Sequence, residues 1–221
     1  MTILKTDLFA EALCPSRAFF WNLPGSNYKI VGIDISPEIT AMARNNTPEP
    51  TTYSCEYTPC DIRKSPFRDN SFDLIISDST LDHFENKEHI TVSLSELKRI
   101  LKTGGTLIIT MDNKQNITEP LFRLWLRLGL HPFFIGKTYS MKELTGALTK
   151  LGYRVIDTTA ILHNPRYVTR AGIALFRHLH GISHDDWITK CLTWLDGFEH
   201  KKTRLLTAQF IAVKAIKPEE E

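Results

Sequence analysis

The stretch Val31-Gly32-Ile33-Asp34-Ile35-Ser36-Pro37-Glu38 compresses a strand, its end and a helix start into eight residues. Tyr28 to Ile33 is rich in β-branched residues and predicts a strand that stops at Asp34. Ser36 is a good N-cap, and Pro37 suits the first helical position, where its missing N–H is no loss. The helix is expected to run to about Asn45. A strand feeding directly into a helix is the repeating unit of an α/β sheet. In such open sheets, ligands bind outside the carboxyl ends of the strands. Asp34 and Ile35 therefore stand where a ligand is expected.

The same unit recurs on either side. Ile3-Leu4-Lys5 predicts a first strand, after which Asp7 can cap a helix through Phe9, Ala10 and Ala12. Pro15 interrupts that helix, Ala18 to Leu23 is a second helical piece, and Pro24 to Asn27 is a turn cluster. Pro48 to Thr52 reads as loop. Tyr53, Cys55 and Tyr57 alternate as a half-buried strand, and Phe72 to Ile76 is a short buried one. From Lys87, apolar Ile90, Leu94, Leu97 and Leu101 recur at helical spacing. Lys98, Arg99 and Lys102 lie near that helix's C-terminus, where the macrodipole favours cations. Gly104 and Gly105 are expected to stop it, with Thr106 to Thr110 as the next strand. Ser140 with Glu143 forms a capping box ahead of Leu144, Leu148 and Leu151, and Gly152 ends that helix. Tyr153 to Thr158 and Thr207 to Ala215 read as two more strands. This alternation predicts an α/β fold with a mostly parallel sheet.

The whole chain sets bounds. Its 221 residues suit one domain, 1–221, with insertions at 116–137 and 162–204 expected to form a helical cap over the site. Hydrophobic residues make up 42%, enough for a substantial core. Lys and Arg number 27 against 25 Asp and Glu, a net charge of +2, which argues against a dedicated nucleic-acid binder with its clustered basic face. Cys14, Cys55, Cys60 and Cys191 show no metal spacing and read as thiols of a reducing compartment. MTILKTDLF lacks the apolar core of a signal peptide, and no apolar run is long enough to span a membrane. A cytoplasmic location is the expectation.

Three further segments follow VGIDISPE in order: CDIRKSPFRDNSFDLIIS (60–77), STLDHF (79–84) and ELKRILKTGGTLIIT (96–110). Together the four resemble the class I S-adenosylmethionine-dependent methyltransferases, closely over residues 28–112 and more loosely over 138–158 and 207–217. The resemblance implies a Rossmann-like, seven-stranded sheet flanked by helices, mostly parallel with its last strand antiparallel, and S-adenosylmethionine as cofactor. By position in the motifs, Asp34 with Ile35 is the ribose partner, a role that suits a carboxylate accepting from a vicinal diol. The competing reading of Asp34 is a helix cap. Asp61 and Ile62 match the pair that frames the adenine, against the alternative of a solvated loop carboxylate. Ser65-Pro66-Phe67 and Ser71-Phe72-Asp73 repeat the family spacing. Ser77 and Asp78 fall where the methionine part of the cofactor is held. His83 matches a histidine often found near the reaction centre, where it can act as general base; alternatively it packs and orients a loop. The Asn-Pro-Pro-Tyr signature of many amino-group methyltransferases is replaced by Ser77-Asp78-Ser79-Thr80, which speaks against nucleobase or protein-glutamine methylation. No metal is required.

One family feature is missing. A glycine-rich turn normally follows the first strand, where glycines let the backbone approach the cofactor. Here Thr6-Asp7-Leu8-Phe9 contains none. Asp7 can accept from the cofactor's ammonium, with Lys5 or Thr6 reaching its carboxylate; the alternative is that Asp7 only caps a helix. The chain also starts at its first strand, without the N-terminal helices that often cover the site. The leading expectation is a methyltransferase acting on a small molecule. The alternative is a non-catalytic methyltransferase-like domain that binds a partner or has lost the cofactor. A nicotinamide-dependent oxidoreductase would want GxGxxG, which is absent. Leu121, Phe122, Leu124, Trp125, Leu126, Leu128 and Leu130, with Arg123 and Arg127, read as packing, as a substrate lid, or as a peripheral membrane contact. His163, Asn164, Pro165 and Arg166 are placed by position on the substrate side.

Overall fold

In a computed structural model, residues 1–18, 21, 23, 27–48, 54–129, 136–163, 169, 173, 178 and 185–219 are described. Outside them lie parts of several expectations: the piece at 18–23, the Pro24–Asn27 turn, most of the 48–52 loop, Tyr53, Leu130, and Asn164, Pro165 and Arg166. The side chains of Phe122, Trp125 and Leu126 also fall outside.

The chain alternates strand and helix: β1 (Thr2–Thr6), α1 (Phe9–Leu13), β2 (Lys29–Asp34), α2 (Pro37–Asn45), β3 (Ser54–Pro59), β4 (Phe72–Asp78), α3 (Lys87–Ile100), β5 (Leu101–Asp112), α4 (Glu119–Arg127), α5 (Met141–Lys150), β6 (Arg154–Ile161) and β7 (Phe210–Ile216). Helices Asp185–Asp196 and Arg204–Thr207 lie between the last two strands. The strands form one seven-stranded sheet in the order β3-β2-β1-β4-β5-β7-β6. β1 to β5 pair in parallel, and β7 runs antiparallel to both β5 and β6. The sheet class and the antiparallel last strand agree with the sequence. That strand begins at Phe210 rather than Thr207, because Arg204–Thr207 forms a short helix.

Side chains alternate across each strand, so the sheet has two cores. Val31 and Ile33 face a cluster with Leu94, Leu97, Leu144 and Leu148 from α3 and α5. Ile30 faces the opposite cluster, with Leu8, Ala12, Trp21, Ala43 and Tyr57. Ser36 caps α2 by accepting from the Ile39 amide at 3.2 Å, and the Ser140–Glu143 capping box of α5 is complete.

Gly104 and Gly105 do not stop α3. The helix ends at Ile100, and Leu101 is already extended, with φ −75° and ψ 134°. Gly104 instead gives β5 a left-handed residue at φ +75°, from which its amide reaches the Lys217 carbonyl at 2.8 Å. On α4, Leu121 and Leu124 are exposed, as is Leu128 in the turn that follows, so this side of the helix is not core. Among the described residues, no helix is long and apolar enough to cross a membrane.

Candidate functional site

The ends of β1, β2 and β3 point their next residues into one cleft of about 460 Å3. Its walls include Thr6, Asp7, Asp34, Ile35, Asp61 and Ile62, with His83 from the turn after β4. A cleft of this size falls within the range of small-molecule and cofactor sites. Six of the eight sequence-derived site residues meet here. The other two do not: Ser77 is fully buried beneath Thr6, whose hydroxyl donates to it at 3.2 Å. Asp78 accepts from the Thr110 hydroxyl at 2.7 Å, which ties β4 to β5.

Asp34 supports its neighbours as well as facing the cleft. Oδ1 accepts from the Ser36 amide at 2.9 Å and Oδ2 from the Leu8 amide at 3.0 Å. A carboxylate offers about four lone-pair sites, so each oxygen retains one for a ligand hydroxyl. The capping reading is thus only adjacent to the truth: Ser36 caps α2, while Asp34 fixes the backbone on both sides of the cleft floor.

The turn after β1 is built without glycine. Asp7 adopts φ +71°, a left-handed conformation that glycine takes freely and that Asp tolerates better than most residues. Its amide continues the sheet ladder to the Ile33 carbonyl at 2.9 Å. Its Oδ1 accepts from the Phe9 amide at 2.9 Å, so it does assist the start of α1, although Leu8 holds the N-cap position. Burial pushes the Asp7 carboxyl up to about 6. The Phe9 amide and Lys5 oppose that rise, Asp34 adds to it, and His83 opposes it weakly. The glycine that the local packing does demand sits across on β2. A Cβ on Gly32 would lie 2.7 Å from Leu8 Cδ2, so the bare backbone of Gly32 lets Leu8 seat the turn.

Lys5 does not reach the cleft. It is 1% exposed, and its ammonium binds Glu11 at 2.9 Å. Alternation along β1 turns it into the sheet's flank, while Thr6 faces the site.

Asp61 is clasped by Arg63. The Arg63 amide and Nε donate to Oδ1 at 2.9 and 3.0 Å, and Nη2 donates to Oδ2 at 2.5 Å. These contacts hold its carboxyl below the ordinary range. Arg63 Nη1 lies 3.3 Å from His89 Nδ1, and the guanidinium stands over the Phe84 ring. Arg63, Phe84, Glu85 and His89 therefore join the lining, as does Cys60, whose thiol is pushed up to about 11 mainly by burial. The sequence reading did not single these out. The one signal available was Arg63 two residues beyond Asp61, within reach of a self-paired turn.

The turn carrying His83, a short 3-10 segment Leu81–His83, is bolted down on two sides. Buried Asp82 accepts from the Ser79 hydroxyl at 2.8 Å and from the Asp112 amide at 2.9 Å. Gly136 and Lys137 amides donate to the Asp82 and Phe84 carbonyls, each at 2.8 Å. A Cβ on Gly136 would lie 2.1 Å from the Phe84 carbonyl oxygen, so only glycine fits this approach. His83 itself is exposed to the cleft. His163 does not join it. It is 3% exposed, with Nδ1 2.8 Å from the Thr207 hydroxyl and Nε2 2.9 Å from the Ala160 carbonyl, and it joins β6 to the helix before β7.

A family model described as a methyltransferase domain matches residues 14–109. Over its whole length the fold matches an S-adenosylmethionine-dependent methyltransferase structure from Methanosarcina mazei. That match has a TM-score of 0.65 and 17% identity, and covers 99% of this chain and 93% of that one. Residues 14–109 thus match a methyltransferase domain, and the chain has the fold of an S-adenosylmethionine-dependent methyltransferase. It is similar to "Probable tRNA methyltransferase 9B" of Mus musculus, 36% identical over 84 residues, which cover 38% of this chain and 17% of the relative. It is also similar in fold to phosphoethanolamine N-methyltransferase 2 of Haemonchus contortus, solved with S-adenosylmethionine, with a TM-score of 0.61 and 16% identity over 99% of this chain and 49% of that one. The chain thus spans about a sixth of the length of the mouse relative.

Proposed function

We propose that this chain methylates a small-molecule acceptor with S-adenosylmethionine as donor. The observation that carries this reading is the convergence of Asp7, Asp34 and Asp61 from three consecutive strand ends on one cleft. Three carboxylates suit a ligand bearing an ammonium, a ribose diol and an exocyclic amine, so the donor set fits the cofactor. Asp34 would hold the ribose hydroxyls through its remaining lone pairs. Asp7 would take the ammonium, and Asp61 with Ile62 the adenine. Ser77 and Asp78 would act from behind, by fixing Thr6 and the end of β5. When bound, S-adenosylmethionine supplies an electrophilic methyl group on its sulfonium. His83 would accept the proton released by the acceptor. Its turn, pinned by Asp82 and Gly136, keeps it from drifting away from the reacting atoms, as aligned attack demands.

The small-molecule acceptor rests on the near-balanced charge of the chain, which offers little for a polyanion. The similar proteins carry names that refer to tRNA and to phosphoethanolamine, and so do not choose between acceptors. The insertions at 116–137 and 162–204 would cover the site. Support comes from Gly136 and Lys137 bonding to the His83 turn, and from the exposed Leu121, Leu124 and Leu128, which would meet an acceptor or a membrane surface. Four free cysteines suit a reducing, cytoplasmic setting.

The test is transfer of labelled methyl from S-adenosylmethionine to a panel of small amines, phenols and carboxylates, with bulk tRNA alongside. Labelling of a small molecule that Asp34→Ala abolishes supports the reading. Labelling of tRNA alone replaces the acceptor, and cofactor binding without transfer to any acceptor favours a non-catalytic domain.

A further inference from the structure

Lys5 occupies an unusual place for a lysine. It sits on β1 with 1% of its surface exposed, and its partner Glu11, on α1, is wholly buried. The ammonium donates to Glu11 Oε2 at 2.9 Å. It also donates to the backbone carbonyl of Asp7 at 2.5 Å. Replacing a buried ion pair by apolar side chains often leaves stability unchanged or improved, because two charges must be taken out of water to form it. Stability alone is thus a weak reason for this pair.

Its geometry offers a better one. Asp7 stands at φ +71°, where glycine would otherwise be expected. The Lys5 ammonium holds the Asp7 carbonyl, the Ile33 carbonyl accepts from the Asp7 amide at 2.9 Å, and Asp34 accepts from the Leu8 amide at 3.0 Å. Both peptide planes flanking the Asp7 Cα are fixed, and so is the direction of its Cβ. Glu11 fixes Lys5 in turn, and α1 is held from behind by Asn46, whose side chain donates to the Glu11 and Ala12 carbonyls at 3.1 and 2.8 Å.

We propose that Lys5 and Glu11 are positioning residues that aim the Asp7 carboxylate at the ammonium of the bound cofactor, taking over from the backbone freedom that glycines supply elsewhere. This rests on the reading of the cleft as an S-adenosylmethionine site. Lys5 also acts electrostatically. The groups that face Asp7 are Lys5 from β1, Asp34 from β2, His83 from the turn after β4 and the Phe9 amide from α1. Among these, Lys5 is the charge that most favours the ionised carboxylate.

The experiment is calorimetric titration of S-adenosylhomocysteine into the unmodified chain and the double variant Lys5→Met/Glu11→Leu between pH 5 and 8, with circular dichroism to verify folding. The double variant is expected to fold and to bind at least ten-fold more weakly at pH 7.5. The pH at which binding is half lost is expected to move upward, since Asp7 ionises less readily without Lys5. Should the double variant not fold, Glu11→Gln keeps an acceptor for Lys5 while removing its counter-charge. Its midpoint is then expected to move downward, because the Lys5 charge acts on Asp7 unopposed. Unchanged affinity and an unchanged midpoint, with the unmodified chain binding normally, overturn this assignment alone. No binding by the unmodified chain overturns the reading of the cleft and this assignment with it.

Discussion

Asp34 Oδ2 accepts a hydrogen bond from the Leu8 amide at 3.0 Å, joining the end of β2 to the turn after β1 across two adjacent strands. The residue expected to hold the cofactor's ribose thus also holds the loop beneath the cofactor. On that expectation, ligand affinity and local order are coupled through one carboxylate.

Asp34→Ala should therefore lower both quantities. Loss of the acceptor for the Leu8 and Ser36 amides should reduce stability by about 1–3 kcal/mol, the usual cost of leaving buried partners unmet. Affinity for S-adenosylmethionine should fall at least as steeply. Asp34→Asn keeps one acceptor oxygen and should lose about half as much stability. Thermal unfolding and calorimetric titration of the two variants measure each effect separately.

Asp7 separates stability from binding by sign. Its carboxyl is raised from 3.8 to about 6, so the folded state holds more protons than the unfolded state in that window. Stability contributed by this group is then greatest at low pH and falls as pH rises through the window. Asp7→Asn retains an acceptor for Phe9 and tolerates the left-handed backbone. It should raise stability at pH 7.5 by on the order of 1 kcal/mol and leave it nearly unchanged at pH 4. Cofactor binding runs the other way. In the unmodified chain it should weaken as pH drops below 6, whereas in Asp7→Asn it should already be weak at pH 7.5 and insensitive in that range. Urea unfolding and ligand titration at matched pH values check both halves.

Two glycines make a matched pair. Gly136→Ala places a methyl 2.1 Å from the Phe84 carbonyl, which forces the His83 turn or the 136–138 segment to move. A loss of about 2 kcal/mol or more is expected, together with loss of any methyl transfer. Gly146→Ala, inside α5 with nothing within 4 Å of the new Cβ, should instead stabilise the chain by about 0.5–1 kcal/mol. Melting temperatures of the two variants moving in the same direction would refute this packing.

The capping box of α5 gives an acid-side signature. Glu143 is lowered to about 2, chiefly by the Ser140 amide and then by Lys87 and Lys114. Its contribution is present above the ordinary glutamate range and is lost as pH falls from about 4.5 towards 2. Ser140→Ala should lower stability by about 1 kcal/mol. Glu143→Gln should flatten the acid limb of the stability curve, which chemical denaturation at pH 2.5, 4 and 6 detects.

Much of the fold was legible because it repeats short-range rules. Val31 and Ile33 alternate with Ile30, and Ser36-Pro37 and Ser140 to Glu143 announce helix starts. The glycines misled at Gly104, since a left-handed residue inside a strand has the same spelling as a helix stop. In the site, the strand-end carboxylates were legible because strand ends define the cleft. Long-range pairings were not. Lys5 reads as a cation near a cofactor until the sheet turns it onto Glu11, six residues on. His163 reads as a site residue until Thr207 and the Ala160 carbonyl enclose it. The grip of Arg63 on Asp61 depends on a side-chain conformation that no periodicity encodes.

The central claim is that the cleft formed by Asp7, Asp34 and Asp61 binds S-adenosylmethionine. Calorimetric titration of the unmodified chain with S-adenosylmethionine at pH 7.5, repeated with Asp34→Ala, tests it most directly. The account predicts saturable binding of one equivalent, weakened ten-fold or more by the substitution. No saturable binding, or binding that Asp34→Ala leaves unchanged, would contradict it.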